Sequence, residues 1–246
     1  MNYQLKFLLF IVCVLLNQYL VEATLFACNH TAPCGCSVND ANVNARIVGG
    51  EPSASHSWGW AVSLRIGKTV HFCGGSIISA HYILTAAHCV DDPQIARLEI
   101  TAAIGTDTLY DSYGQRITVS RMYKHPGYNS ITKENDIALL KLNKAVSFKD
   151  KNVAKLCLPS LIEYSDVDFP WINTKLVAIG WGSTKSGGSS SDVLRQITVA
   201  AVGDTEPKCS NSIRNTRLQF CAAVDGGGKG IWYIVITQNL ITLFNT

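Results

Sequence analysis

The sequence lacks several features that would point to particular classes of protein. It has no run of lysine or arginine, although these outnumber aspartate and glutamate by 21 to 18, so the basic stripe of a nucleic-acid-binding protein is not expected. No apolar run reaches the roughly 20 residues that span a bilayer, and no internal repeat occurs. We therefore expect no nucleic acid as a partner and no membrane anchor in the mature chain. The sequence also has no serine after Ser212.

The N-terminal segment is typical of a secretion signal. Lys6 precedes an apolar run at residues 7–16, and Val21 and Ala23 occupy the two positions that signal peptidase reads. A membrane anchor is the alternative, but the run is too short for one. We expect residues 1–23 to be removed as a signal peptide, the mature chain to begin at Thr24, and the protein to be secreted into the extracellular space.

The cysteines indicate disulfides. Of the nine cysteines, Cys13 leaves with the signal, so an even number remains. An even set in an oxidising compartment favours disulfides, and the scattered positions lack the paired C-x-x-C knuckles of a zinc site. We expect no metal and no cofactor. Asn29 begins the only N-glycosylation sequon, a weak pattern that secretion makes usable.

Composition divides the mature chain into three parts. Residues 24–46 form a short, cysteine-rich propeptide that we expect to be extended and held by disulfides. Residues 47–229 alternate β-branched or aromatic runs with Gly, Asn, Asp and Ser breaks, which predicts an all-β domain with at most one helical turn, near residues 86–89. Residues 230–246 form an unrelated apolar tail without a charged residue. The candidate strands are residues 61–66, 76–80, 98–104, 116–119, 137–142, 175–179 and 194–202.

Two motifs carry a pattern of nucleophilic catalysis. Residues 84–89 read LTAAHC and residues 135–140 read NDIALL. Imidazole is the side chain whose ordinary pKa suits it to take a hydroxyl proton near neutral pH. Asp136 heads an apolar strand, where an unpaired carboxylate costs several kcal/mol in order of magnitude, so it needs a partner, and His88 is the best candidate. The other histidines read as ordinary surface or core residues: His30, His56, His71, His81 and His125.

These motifs, together with RIVGG at residues 46–50, GWG at 180–182 and FCA at 220–222, resemble those of the trypsin/chymotrypsin (S1) family of secreted serine endopeptidases. The resemblance implies two antiparallel six-stranded β-barrels, protein or peptide substrates, a monomer, and no cofactor. It implies His88 as base and Asp136 as its carboxylate. It also implies a zymogen that an activating protease cleaves between Arg46 and Ile47.

The resemblance also suggests how the cysteines pair. We expect Cys73 to bond to Cys89, which would pin the loop that carries His88. Cys157 matches the family position that holds the propeptide, so one of three leader cysteines is its expected partner, and the other two pair together. Cys209 with Cys221 completes the set. The three leader candidates are Cys28, Cys34 and Cys36.

The resemblance stops at Lys229. Residues 226–229 read GGGK, but the family's Gly-Asp-Ser-Gly-Gly-Pro segment does not follow. Without the serine, the oxyanion amides and the pocket floor, we expect an incomplete second barrel and a catalytically inactive chain. We favour an incomplete product, such as one from a retained intron, because composition changes abruptly at Gly230. The alternatives are a non-catalytic homologue that binds or regulates, and a working protease by another route.

Overall fold

The computed structural model describes residues 23–26, 28–29, 31–44, 50–110, 112–158, 170–183, 188–203, 206, 209, 213–216 and 218–223. Nearly all regular structure among them is β, which confirms the all-β class. In this part of the chain no helix is long and apolar enough to cross a membrane. Most of the predicted signal peptide, the Arg46–Ile47 junction and the 230–246 tail lie outside the described residues.

The strands connect through short turns and loops. In chain order they are β1 (Ala23–Phe26), β2 (Ala41–Asn44), β3 (Glu51–Pro52), β4 (Ala61–Ile66), β5 (Val70–Ser79), β6 (Tyr82–Thr85), β7 (Ile100–Ile104), β8 (Gln115–Lys124), β9 (Ala138–Leu142), β10 (Lys175–Gly180), β11 (Arg195–Val202) and β12 (Cys221–Ala223). Two single 3₁₀ turns, Ala87–Cys89 and Ile95–Arg97, are the described helical elements.

The six strands β4 to β9 close into an antiparallel barrel in the order β4-β5-β6-β9-β8-β7. Strand β9 shows which residues face the barrel core. Its buried and exposed residues alternate, so Leu140 and Leu142 point inward while Leu139 and Lys141 face out. Leu64, Ile83 and Leu140 are fully buried in the barrel core. Burial of each such side chain contributes about 1.5–3 kcal/mol. The predicted first barrel is therefore present and closed.

Strands β5 and β6 correct the sequence interpretation. The sequence predicts a strand at residues 76–80 and none at Tyr82–Thr85, where the structure has β6. Strand β5 begins earlier than predicted, at Val70, and runs through Gly74 and Gly75. A Cβ on Gly75 would lie 2.6 Å from Ile83 Cγ2, so this glycine permits close packing against β6 inside the barrel.

The second sheet is open in the described part of the chain. Strand β11 pairs with β10 over most of its length. It also pairs with β3 near its first residues and with β12 near its last residues. Its own core is small and contains Leu176, Val199 and Phe220. Trp181, however, packs into the core of the first barrel, and its indole Nε1 donates to the Asp107 carbonyl at 3.0 Å. The two sheets therefore share a packed boundary.

The leader has more structure than predicted. Strands β1 and β2 form an antiparallel hairpin, whereas composition suggested only an extended segment. Ala41 and Val43 of β2 alternate inward and are buried, and Gln196 Nε2 of β11 donates to the Asn42 carbonyl at 2.7 Å. Burial of two apolar side chains on one face gives this short strand the packing that composition alone does not reveal.

Candidate active site

His88 lies on a pinned turn. Strand β6 runs directly into the 3₁₀ turn Ala87–Cys89, and Ala87 is fully buried, so a larger side chain would not fit there. Cys89 is bonded to Cys73 of β5, with the two Cα atoms 6.1 Å apart. Thr85 Oγ1 also donates to the Gly74 carbonyl at 2.7 Å. His88 is thus held against β5 on both sides in the sequence, by the Thr85 hydrogen bond before it and by the Cys89 disulfide after it.

Asp136 is set by the backbone turn that precedes β9. Asn135 adopts a left-handed conformation, with φ of 55°, which asparagine tolerates better than most residues. Its side-chain Nδ2 donates to the Gly127 carbonyl at 2.9 Å. Strand β9 pairs with β6, the strand that leads to His88. Because β6 and β9 are neighbours in the barrel, the Asp136 carboxylate lies next to the His88 imidazole.

His88 and Asp136 make two hydrogen bonds. The backbone N–H of His88 donates to Asp136 Oδ1 at 2.8 Å, and His88 Nδ1 lies 2.7 Å from Oδ2. An ionised carboxylate only accepts hydrogen bonds, so we assign the proton to Nδ1, which leaves Nε2 as the basic atom of the neutral ring. The side chains are 26% and 13% exposed. This is the arrangement in which a carboxylate orients a base.

The Nε2 atom of His88 is the candidate proton acceptor. It is shielded from solvent and has no hydrogen-bond partner among the described residues. A buried polar atom without a partner is uncommon in folded proteins and asks for an explanation. A base held ready for a hydroxyl group provides one, because its lone pair has to remain available until that hydroxyl arrives.

The same place contains a set of possible metal ligands. Cys73, Cys89 and His88 offer ligand atoms within 4.8 Å of one another. The two sulfur atoms are bonded to each other in the disulfide, and metals bind cysteine as thiolate. The three side chains therefore do not form a metal-binding set in this structure.

The structure also contains a Ser–His pair that no sequence motif indicates. Ser63 Oγ lies 2.9 Å from His71 Nδ1, and the buried Arg65 donates from Nε to Ser63 Oγ at 3.1 Å. Burial and then the Arg65 charge lower the pKa of His71 to about 4. Ser63 is fully buried, so a substrate cannot reach it and it does not replace the missing nucleophile. Its eight-residue separation from His71 matched no motif.

Gln219 joins the second sheet to the loop that carries Asp136. Its side chain is fully buried, and its Nε2 donates to the Thr132 carbonyl at 2.9 Å. Its Oε1 accepts from the backbone N–H groups of Arg214 and Asn215. No sequence motif indicated this residue. One buried amide thus connects segments that are far apart in the chain.

The leader is fastened to the barrel by a disulfide. Cys34 is bonded to Cys157, and the other two leader cysteines, Cys28 and Cys36, are bonded to each other. Non-covalent contacts add to the attachment: Ser37 Oγ accepts from the Gly59 N–H at 2.8 Å, and Gly35 N–H donates to the Lys155 carbonyl at 2.7 Å.

The remaining predicted residues are distributed as follows. Cys209 is bonded to Cys221, with the Cα atoms 6.0 Å apart, far along the chain from the His88 turn. Asn29 is exposed, and its Oδ1 accepts from the hydroxyl of Thr31 at 2.7 Å. The structure brings together His88, Asp136 and the disulfide of Cys73, and it does not describe Arg46 or Ile47.

Comparison with known proteins agrees with this geometry. The profile of the family described as Trypsin matches residues 47–232, which ends three residues beyond Lys229. A protein named Transmembrane protease serine 9, from Rattus norvegicus, is 32% identical over 203 residues. The match covers 81% of this chain but only 18% of that protein, so the chain spans less than a fifth of this relative's length.

Proposed function

Because the chain belongs to the trypsin family of serine proteases, we propose that His88 and Asp136 are the base and the carboxylate of a peptide-hydrolysing triad. The observation that carries the proposal is the 2.7 Å contact between His88 Nδ1 and Asp136 Oδ2. In this role Nε2 of His88 takes the proton of a serine hydroxyl, and Asp136 stabilises the resulting imidazolium.

We further propose that this polypeptide, as its sequence stands, does not complete the reaction. The sequence holds no serine after Ser212. Ser63, which among the described residues is a buried serine paired with a histidine, is closed to substrate. Acyl transfer needs an oxygen nucleophile and donors for the oxyanion. Triad members act as a unit, so a base without its nucleophile loses orders of magnitude in rate.

An ester-hydrolysis assay tests both statements. The purified chain, treated with an activating protease that is then removed, is incubated with Arg, Lys, Phe and Ala esters. We expect no turnover above that of His88→Ala, the matched control. Turnover that the His88→Ala variant lacks would show a working protease and overturn the inactivity. A different result would overturn the assignment of His88 and Asp136: no turnover, together with no hydrogen bond between these two residues when the protein is in solution.

The leader supports a zymogen organisation. We propose secretion after removal of residues 1–23, cleavage between Arg46 and Ile47 by an activating protease, and action on protein or peptide substrates as a monomer. The Cys34–Cys157 bond supports retention of the leader after that cleavage. Four disulfides in the described chain fit an oxidising compartment.

Gel electrophoresis of the cleaved chain tests the leader. We expect the leader to remain attached without reductant and to separate once reductant is added. The double variant Cys28→Ser/Cys36→Ser is the matched control, because it removes a leader disulfide that makes no link to the domain. Its leader should stay attached. Release of the wild-type leader under denaturing, non-reducing conditions would contradict the proposal.

A further inference from the structure

Two segments of the first barrel, separated by Glu134 and Asp136, contain several basic residues and no acidic residue of their own. Residues 112–133 and 137–149 together contain seven of the 21 lysines and arginines and none of the 18 acidic residues. The basic residues are Arg116, Arg121, Lys124, Lys133, Lys141, Lys144 and Lys149. They are spread along the sequence, so no basic run appears, but the segments include neighbouring strands of the barrel.

Strand pairing brings several of these charges together. Arg121 of β8 lies directly opposite Lys141 of β9, and both side chains are exposed. Like charges directly opposite each other on a sheet are destabilising. On the other side of β9, Lys141 faces Tyr82 of β6. The pairing thus places two cations side by side with no acidic residue on any of the three strands.

The loop after β9 extends this charge along β8. Asn143 N–H donates to the Thr118 carbonyl at 3.0 Å, which brings Lys144 beside the middle of β8. Ser147 exchanges two hydrogen bonds with the Gln115 side chain, which brings Lys149 near the start of β8. With a rise of about 3.3 Å per residue, the attachment points at 115, 118 and 121 lie roughly 10 Å apart.

We name Arg121, Lys141, Lys144 and Lys149 the basic face. All four side chains are exposed, and no carboxylate of the described residues forms an ion pair with any of them. Lys124, by contrast, pairs with Asp91, and Lys133 lies over the ring of Tyr128. Within the described part of the chain, the basic face is therefore not neutralised by ion pairs, and it forms a stripe about 20 Å long.

We propose that the basic face binds a linear sulfated polysaccharide. A narrow stripe on the convex wall of a barrel suits a flexible polyanion that can follow the curvature, whereas a flat bilayer would reach few of its charges. Four disulfides favour an extracellular setting, where sulfated polysaccharides rather than nucleic acids are the abundant polyanions. The choice of partner rests on the secretion proposed above, but not on catalysis.

Heparin provides the probe. Binding of the full chain to immobilised heparin is measured over a range of NaCl concentrations, for the wild type and for Arg121→Ala/Lys141→Ala/Lys144→Ala. Release of counterions makes log K fall linearly with log salt by about 0.7 for each contact on a single-stranded polyanion. We expect the triple variant to lose roughly two from that slope and at least about tenfold in affinity at low salt.

The control variant removes equal charge elsewhere. Arg97→Ala/Lys175→Ala/Arg214→Ala also replaces three exposed cations, and it should keep the wild-type salt slope within error. If the two triple variants lost affinity equally, heparin would be responding to net charge and the basic face would be refuted. If DNA or anionic phosphatidylserine vesicles bound to the basic face more tightly than heparin at 150 mM NaCl, the sulfated polysaccharide would be the wrong partner.

A charge reversal separates binding from folding. Arg121→Glu should lose heparin affinity yet melt at the same or a higher temperature than the wild type, since it puts opposite charges across the β8–β9 pair. A lower melting temperature with unchanged heparin affinity would show that Arg121 serves the fold instead. Ester hydrolysis by the wild type would overturn the proposed inactivity and leave the heparin result unaffected.

Discussion

The two sheets differ in what each needs in order to close. Every strand of the first barrel comes from the chain between Ala61 and Leu142, and each pairs on both sides. In the second sheet, the three-residue strand β12 pairs only with β11 among the described residues. The first barrel thus needs no strand from beyond Leu142, and it holds both His88 and Asp136. The barrel that holds the proposed base and carboxylate therefore closes without any strand of the second sheet.

A matched pair of leucine substitutions would sharpen this comparison most. Leu140 lies in the closed barrel and Leu176 in the second sheet, and both are buried. We expect Leu140→Ala to cost about 4 kcal/mol, because a closed barrel cannot relax around the cavity, and Leu176→Ala about 2 kcal/mol. Urea unfolding followed by circular dichroism measures both. Equal costs would show that the second sheet is packed as tightly as the first.

Removal of disulfides tests whether each half is stabilised separately. Cys73→Ala/Cys89→Ala opens a 16-residue link and Cys209→Ala/Cys221→Ala a 12-residue link, so loop entropy predicts a similar loss of about 3 kcal/mol for each. We expect hydrogen exchange to rise in β5 and β6 for the first variant only. Faster exchange in β5 from the second variant would show that the halves are coupled.

The buried amide of Gln219 offers a smaller test of the boundary between the sheets. Gln219→Leu leaves the Thr132 carbonyl and the Arg214 and Asn215 N–H groups without this partner, which should cost about 1–3 kcal/mol. Amide exchange at 214 and 215 should increase while the barrel strands stay protected. Gln115→Leu, which loses exposed hydrogen bonds to Ser147, is the control and should cost less.

Acid should weaken the first barrel through His71. Its pKa in the folded protein, about 4, lies below the ordinary value of 6.5, so the unfolded chain binds the extra proton between these values. The free energy of unfolding therefore falls as pH drops from about 6.5 to 4, by at most about 1.4 kcal/mol per pH unit, and by less because the ring is only half-buried. Urea titrations at several pH values should show His71→Gln flattening this decline. The exposed His81→Gln should not.

The sequence was informative where chemistry is local. The neighbourhoods of His88 and Asp136 stand out because each lies within a short motif, and alternation along β9 predicts its buried face. The sequence was uninformative where contacts are distant. Gly75 looks like a break until Ile83 is packed against it, and Arg121 and Lys141 become neighbours only through strand pairing.

The central claim is that His88 and Asp136 are hydrogen-bonded to each other in this chain. The most direct test of it is proton NMR of His88. A proton held in a short histidine–carboxylate hydrogen bond resonates far downfield of the amide signals. We predict one such resonance in the wild type and in His71→Gln, and its loss in both His88→Gln and Asp136→Ala. The absence of that signal from the wild type across the neutral pH range, or its survival in Asp136→Ala, would contradict the account.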